Sequence, residues 1–489
     1  MQTRKTRLQA YRYGARRSVA ALLNADPDGP EAPLRSLTGG VLLGALVAVL
    51  VVVVATVYGL MRPGGATAWR DGSGLIVEKE SGTRYVYVGG ALHPVLNVAS
   101  ARLILGQPAL TVRSVSRDSL GATPRGLPVG IPGAPEALPA ASALVGAAWT
   151  ICAEPARSST GAVATSTRTY LGARPAGLTS VPADSGLLVG TGDGTTYLLW
   201  NGARLRIGST AVLPALGWSG SQVLTVGAAW LNSVPAGPDL ATPVVAGLGS
   251  PGPALDGQPA LVGTVFSVSN VDTANQFYLL QADGLAPVTA VQAALLLGDP
   301  ATRAAYPGGS VAPVPLNPAT VATTPRSAAP APVGFPARKP PLLDASAQDT
   351  AVCAVDPDPA AAGPVQLLTR RQQPAGLDDA APVDPVTGIP VADAVVVPPA
   401  DGAVVRSLPA PGVNTGTVYL VTDQGTKYPL ASAQVLGPLG YPGVVPAVVP
   451  AGLLASLPTG PTLDAAAAGR TVAAVPQRSL PPGPELRDS

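Results

Sequence analysis

Few side chains in this sequence are equipped for chemistry. His93 is the sole histidine in 489 residues, and Cys152 and Cys353 are the sole cysteines. A histidine suits acid–base work near neutral pH or a metal, and two thiols can bind a metal or join as a disulfide. Spacing gives no support to a metal: there is no C-x-x-C, no second histidine, and His93 is near neither cysteine in the chain. "DQGTKY", with Gly425, Thr426 and Lys427, has the residue types of a phosphate cradle without the G-x-x-x-x-G-K-[ST] spacing. The acidic runs "VDPDPAA" and "LDDAAPVDP" carry prolines and lack the glycine that a calcium loop needs. No G-x-S-x-G stands with a usable histidine, and no carboxylate pair is marked out for glycoside hydrolysis.

The elements around these residues are more informative. Charged residues make up only 12% of the chain and aromatics 4%, while Gly and Pro number 56 and 55. Small β-rich modules joined by Pro/Ala/Gly segments fit this mix better than one large α/β core. A net charge of +2 gives no argument for nucleic acid as a partner.

Residues 37–61 form an uncharged apolar run within "SLTGGVLLGALVAVLVVVVATVYGLM". As a helix it is long enough to cross a hydrocarbon core of about 30 Å, and it lies too far from Met1 for a signal peptide. Seven Lys and Arg precede it, against Arg62 and Arg70 just beyond, so the positive-inside rule places the N-terminus in the cytoplasm and the bulk outside. Residues 1–36 are the cytoplasmic tail. There Leu8, Tyr11, Ala15, Val19 and Leu22 recur at helical spacing beside Arg12, Arg16 and Arg17. Such a helix suits anionic headgroups or a membrane partner contacted by those arginines.

Both cysteines fall beyond the span, where pairing is expected, in the strand-like runs "AAWTIC" and "TAVCAV". Two free thiols are the alternative.

Self-similarity organises the remainder. "GLIVEKESGTRYVYV", "GLLVGTGDGTTYLLW", "TVFSVSNVDTANQFYLL" and "GTVYLVTDQGTKYPL" each read as strand, polar turn and strand. The turns are Gly82-Thr83, Gly194-Thr195, Asn275-Gln276 and Gly425-Thr426, followed by Tyr85, Tyr197, Tyr278 and Tyr428. Glycine or asparagine supplies the positive φ of a tight turn, and Thr and Tyr suit the strand. A short strand and an apolar helix ending at Gly106, Gly217 or Gly298 follow in the first three copies, with Ser or Thr before the helix. The fourth copy reads as shortened. His93 aligns with Leu205 and Ala286, which favours packing over catalysis.

The resulting layout places repeats at 62–110, 181–220, 263–300 and 413–458. Core segments with the cysteines lie at 111–180 and 344–370, with core or linker at 221–262. Pro/Ala-rich linkers fill 301–343 and 371–412, and a tail runs over 459–489. The fold class is one N-terminal transmembrane helix plus an extracytoplasmic α+β domain, with β-hairpin/helix modules around a central β-sheet.

"YRYGARR" at Tyr11–Arg17, "PLR" at Pro33–Arg35, "GLIVEKESGTRYVYVGGALHPVLNVASARLILG", "WTIC" and "AVCAV" together resemble the EccB family, membrane components of type VII (ESX) secretion systems. The resemblance covers nearly the whole chain. It implies a scaffold working with an EccC-like motor ATPase, EccD- and EccE-like membrane proteins and further copies of itself. It also implies an elongated repeat domain with a central β-core and a disulfide. Its repeats are similar in fold to wall-binding modules, which makes peptidoglycan an alternative partner. ATP enters only because some relatives are described as ATPases. No cofactor, metal or catalytic residue is expected from the residues themselves.

Overall fold

The computed structural model describes residues 4–24, 35–61, 67–146, 149–270, 273–328, 333–346, 348–356, 365–377, 382–409, 413 and 415–472. They divide into two units, one spanning Met1–Arg70, Val77–Thr83 and Ser114–Thr123, the other Asp71–Ile76, Arg84–Arg113 and Pro124–Ser489.

The first unit contains helices α1 (Arg4–Asn24) and α2 (Arg35–Met61). Gly39–Tyr58 of α2 has a mean hydropathy of 2.9 and exposes its side chains, so this helix is long and apolar enough to cross a membrane. On α1, Leu8, Tyr11, Val19 and Leu22 are exposed, as are Arg12, Arg16 and Arg17.

Four modules share one plan. Module 1 has β1 (Gly74–Glu78), β2 (Arg84–Val88), β3 (Ala91–Pro94), α3 (Val98–Leu105), β4 (Thr111–Val115) and α4 (Arg117–Leu120). The chain then enters the central sheet with β5 (Trp149–Arg157), β6 (Val163–Leu171) and β7 (Thr179–Ser180). Module 2 follows with β8 (Gly186–Gly190), β9 (Thr196–Trp200), β10 (Ala203–Arg206), α5 (Val212–Ala215), β11 (Leu224–Thr225) and α6 (Ala228–Ser233). Module 3 has β12 (Val265–Asn270), β13 (Thr273–Gln281), β14 (Gly284–Val288), α7 (Ala290–Gly298), β15 (Val314–Pro315) and α8 (Pro318–Thr323). The central sheet resumes with β16 (Thr350–Val355), β17 (Gln366–Arg371), β18 (Ala375–Gly376) and β19 (Ala394–Val396). Module 4 closes with β20 (Ala403–Leu408), β21 (Val418–Val421), β22 (Lys427–Pro429), α9 (Leu436–Leu439), β23 (Ala447–Pro450), α10 (Ala451–Leu454) and α11 (Ala465–Ala468).

In every module the strand order is third, second, first, fourth. In modules 2, 3 and 4 the fourth strand runs parallel to the first, a return that requires the intervening helix as crossover. Helix ends follow local chemistry. Asn97 caps α3 by accepting from the Ser100 N–H, and Gly106 ends it at φ 68°. Thr289 and Gln292 form a capping box on α7. Gly298, expected to end that helix by its turn, is instead its last helical residue. A Cβ there would lie 2.3 Å from that of Ala215 in α5.

The central sheet has the order β19-β6-β5-β16-β17-β7, with β18 pairing β5. Trp149, Ile151, Ala153, Val352 and Ala354 share a core with Leu187, Val189 and Leu199 of module 2 and Ala403, Val405 and Val421 of module 4. Trp230 of α6 is fully buried there, its Nε1 donating to the Ile151 carbonyl at 3.2 Å. A second core joins Ala99 and Leu103 of α3 to Leu420, Tyr428 and Leu439 of module 4. A third joins Leu198 and Leu216 of module 2 to Val291 and Leu295 of α7. Packing thus runs from module 1 to module 4, the central sheet, module 2 and module 3. α3 meets α9, α7 meets α5, and α6 meets α10, so the two module pairs repeat one another about the α6–α10 contact.

The spans expected as linkers are partly built into these units. Within 301–343 lie β15 and α8, and then a strap in which Ala290 N–H donates to Ala337 and Gly186 N–H to Pro341. Within 371–412 lie β18, β19 and β20. Of the tail, residues 473–489 lie outside the described residues.

Candidate functional site

Register within the outer hairpins assigns each repeated side chain. Tyr85 faces Pro94, Tyr197 faces Arg206 and Tyr278 faces Pro287. One step along, Val86 faces His93, Leu198 faces Leu205 and Leu279 faces Ala286. In module 4, Tyr419 faces Pro429 and Leu420 faces Tyr428. Tyr419 is therefore the recurrent tyrosine of module 4, and Tyr428 occupies the place of His93. This corrects the alignment read from sequence. "GTVYLVTDQGTKYPL" is the second hairpin of its module, not the first, because β20 supplies the first strand upstream at 403–408. Module 4 is not shortened.

The turn glycines Gly82, Gly194 and Gly425 have φ of 71°, 83° and 72°. Their N–H groups donate back to Glu78, Thr191 and Thr422, while the carbonyls of Thr83, Thr195 and Thr426 accept from those same residues. Gly82 and Gly194 join first to second strands, whereas Gly425 joins second to third. A Cβ on Gly425 would lie 2.5 Å from that of Val395 in the central sheet. Asn275 and Gln276 form no turn: both lie inside β13, with Gln276 opposite Val268.

Sequence reasoning missed the second half of each module. After the fourth strand and a short helix, an extended segment runs beside the third strand. It is seen in the bridges Leu92 to Arg125, Arg204 to Ala236, Leu285 to Arg326 and Lys427 to Thr459. Leu92, Arg204, Leu285 and Lys427 each donate their N–H to the carbonyl of Pro124, Pro235, Pro325 or Pro458. Gly126, Gly237, Ser327 and Gly460 donate back to the same four residues. A signal was present: "SLGATPRGLPV", "WLNSVPAGPDL", "TVATTPRSAAP" and "LLASLPTGPTL" share the proline and, in three copies, the glycine two residues later.

This segment explains His93. Its Nδ1 lies 3.0 Å from the Leu127 carbonyl, and a Cβ on Gly126 would come within 2.2 Å of its ring. Gly460 stands the same way to Tyr428 at 2.4 Å, and Gly237 approaches Leu205 at 3.3 Å. Where the partner is the small Ala286, the glycine is replaced by Ser327. The ring of His93 is therefore a packing group over a glycine.

Cys152 and Cys353 face each other across β5 and β16 and are joined as a disulfide, both fully buried. Leu368, Tyr170, Leu178 and Val355 pack around them. Antiparallel register puts Glu154, Arg168, Tyr170 and Arg370 on this same face, opposite the one that the modules cover. The Glu154 carboxylate is buried. It accepts from Tyr170 Oη at 2.7 Å, Arg370 Nη2 at 3.0 Å and Gln372 Nε2 at 3.0 Å, and pairs with Arg168 Nε at 3.5 Å. Burial, together with donation to Glu154, pushes the Tyr170 phenol up to about 12, so it stays a donor.

A second buried ion pair holds module 4. Lys427 Nζ lies 3.7 Å from Asp384 and donates to the carbonyls of Leu454 and Leu457 at the end of α10. Burial pushes Asp384 up, but hydrogen bonds from Thr459 and the N–H groups of Thr387 and Val386, with Lys427 beside it, hold it below the usual carboxylate range. Burial lowers Lys427, and Asp384 offsets only part of that. The lysine of "DQGTKY" is thus directed into the module rather than toward a ligand. Among the described residues no three His, Cys, Asp or Glu side chains gather as a metal set.

The arrangement is one of stacked modules on a disulfide-joined sheet, and comparison with known proteins matches it. Residues 1–477 match the family model described as type VII secretion system ESX-1, transport TM domain B. The chain belongs to this family. It is 31% identical to the ESX-3 secretion system ATPase EccB3 of Mycolicibacterium smegmatis, over 94% of this chain and 88% of that protein. It is 28% identical to the ESX-1 secretion system ATPase EccB1 of Mycobacterium tuberculosis, over 95% of this chain and 94% of that one. Among solved structures, a chain of an intact ESX-5 inner membrane complex matches with TM-score 0.66 and 26% identity, covering 100% of this chain and 98% of that chain. The EccB3 dimer from the ESX-3 core complex matches with TM-score 0.63 and 28% identity, covering 82% and 100%. The fold described above is therefore shared with solved chains of ESX inner membrane and core complexes.

Proposed function

We propose that this chain is a structural subunit of a type VII secretion membrane complex. Its tail lies in the cytoplasm, α2 spans the inner membrane once, and the modules stand outside as a scaffold for protein export. The observation that carries this reading is the packing itself. Buried cores hold the modules of the second unit in sequence from module 1 to module 3, and the buried charges Glu154, Lys427 and Asp384 are engaged with neighbours inside the fold. The lysine and arginine excess before α2 supports the orientation. Membership of the family supports assembly with EccC-, EccD- and EccE-like proteins and with further copies of this chain. In this reading Arg12, Arg16 and Arg17 on α1 face those partners or anionic headgroups. No step is assigned to ATP or to another cofactor. Extraction of membranes in mild detergent is expected to recover the chain with an EccC-like ATPase and EccD-like protein. Recovery only as a monomer under every gentle condition would remove the proposal.

A further inference from the structure

Module 3 departs from the other modules along its second strand. In modules 1, 2 and 4 the third strand pairs with every residue of the second except Arg84, Thr196 and Val418 at its start. In module 3, β13 begins at Thr273, but β14 pairs with it only from Phe277 onward. Residues 273–276 pair with β12 alone, so their other edge has no strand beside it among the described residues. A mostly apolar groove of about 580 Å³ opens there, lined by Asn275, Gln276, Phe277, Tyr278 and Pro287 of the sheet and by Arg338 of the strap. Phe277 and Tyr278 are half-buried, while Asn275 and Arg338 are exposed. Arg338 makes no ion pair or hydrogen bond among the described residues. An open strand edge is a template for an extended chain. An aromatic-lined groove suits a proline-rich one in particular.

The chain itself carries such a segment. Residues 473–489, outside the described residues, include "LPPGPELRD" at Leu480 to Asp488. Pro481 and Pro484 make a P-x-x-P sequence, which enters a groove at low ordering cost. Its carbonyls have no internal partners and suit a donor such as the Asn275 amide. Glu485 and Asp488 carry the charge that Arg338 lacks beside it. We propose that the groove of module 3 holds Leu480–Asp488 from the C-terminal tail of a second copy of this chain. A copy's own tail falls short of its own groove. Val472 N–H is tied to the Pro128 carbonyl on module 1, and from there to Pro481 the chain spans at most about 30 Å. Modules 4 and 2 lie between modules 1 and 3, each a sheet with helices packed on it and so roughly 20 Å deep. This rests on the scaffold reading for the presence of a second copy, and it adds the segment that joins the copies and where it sits.

The test uses the full chain in its membrane complex. Two versions with different affinity tags are co-expressed, one of them with a photo-reactive phenylalanine analogue in place of Phe277. Illumination should join the two versions covalently, and mass spectrometry should map the bond to residues 480–488 of the second. The analogue placed instead at position 337, exposed on the strap, should give the same product and guards against a disturbed groove. Arg338→Glu in the first version should lower the yield about tenfold, as expected for reversal of an interfacial charge. Glu485→Arg with Asp488→Arg in the second version should then restore it. A bond confined to one chain, a bond to another segment of the second copy, a bond to a different protein, or no bond from either position overturns the proposal. So does a yield that ignores Arg338→Glu, or one that the reversed tail does not restore. Co-purification of the two tags without illumination reports the complex separately. If the tags co-purify and the tail is not joined, this inference alone fails; if they never co-purify, the scaffold reading fails with it.

Discussion

Gly452→Ala tests the contact on which the pairing of the modules turns. Gly452 lies in α10 of module 4, where an added Cβ would stand 2.1 Å from the backbone oxygen of Asn232 in α6 and 3.1 Å from its carbonyl carbon. Carbon–oxygen contacts settle at about 3.3 Å or more, so the two helices must part by about 1 Å. Neither has slack: Trp230 and Leu231 on one side, and Leu453 and Leu454 on the other, are buried in the same core. Overpacking of this kind costs about 3 kcal/mol at the upper end, against about 1 kcal/mol gained from alanine's helix propensity. The net loss is about 2 kcal/mol, a fall in thermal midpoint of roughly 2 °C for a chain of this size. The control is Gly437→Ala in α9, where nothing lies within 4 Å of the added carbon and stability should hold or rise. Thermal unfolding of the full chain in detergent, followed by tryptophan fluorescence, compares the two. If Gly452→Ala is as stable as the parent, the α6–α10 approach is wrong.

Further expectations concern the buried pairs. Gly126→Ala should destabilise module 1 by about 1–3 kcal/mol through the His93 ring. Combining it with His93→Ala should recover most of that, and a double-mutant cycle in urea measures the coupling. Asp384→Asn leaves Lys427 buried without a counter-charge and should cost about 3–5 kcal/mol. Because the folded-state pKa of Asp384 is depressed, its contribution is present above the ordinary carboxylate pKa and is lost as pH falls through the folded value. Acid titration of the parent should therefore show a stability loss that Asp384→Asn lacks. Replacing Cys152 and Cys353 together by alanine should lower stability by about 5 kcal/mol on the chain-entropy estimate. Intact mass before and after reduction and alkylation checks the bond, and two thiols alkylated without reduction would contradict it.

The apolar run, the two cysteine strands and the first hairpins could be read directly because each signal is local. The run is continuous, the cysteines have no other partners, and Gly82 and Gly194 sit at true tight turns. The fourth module defeated the same reading because two of its hairpins carry similar letters. Only the pairing of Tyr419 with Pro429 shows which strand is which. Asn275 looked like a turn residue, yet tertiary pairing carries β13 straight through it. The extended segments beside the third strands have neither helical nor alternating periodicity, so their proline–glycine signature read as linker. The Glu154 cluster joins residues from 154 to 372 and leaves no trace at any short spacing.

The register that places Cys353 opposite Cys152 also sets an order of events. The two are 201 residues apart. The strand bearing Cys152 can fold onto β6 at once, but its other edge stays open while modules 2 and 3 are being made. Throughout that interval Cys152 is a thiol whose only intramolecular partner does not yet exist. Misoxidation within one chain is thus excluded by arithmetic, and the hazard lies between neighbouring nascent chains. The order of assembly is fixed as well. Modules can form one at a time, but the platform that seats the second and the fourth closes only after most of the chain has emerged.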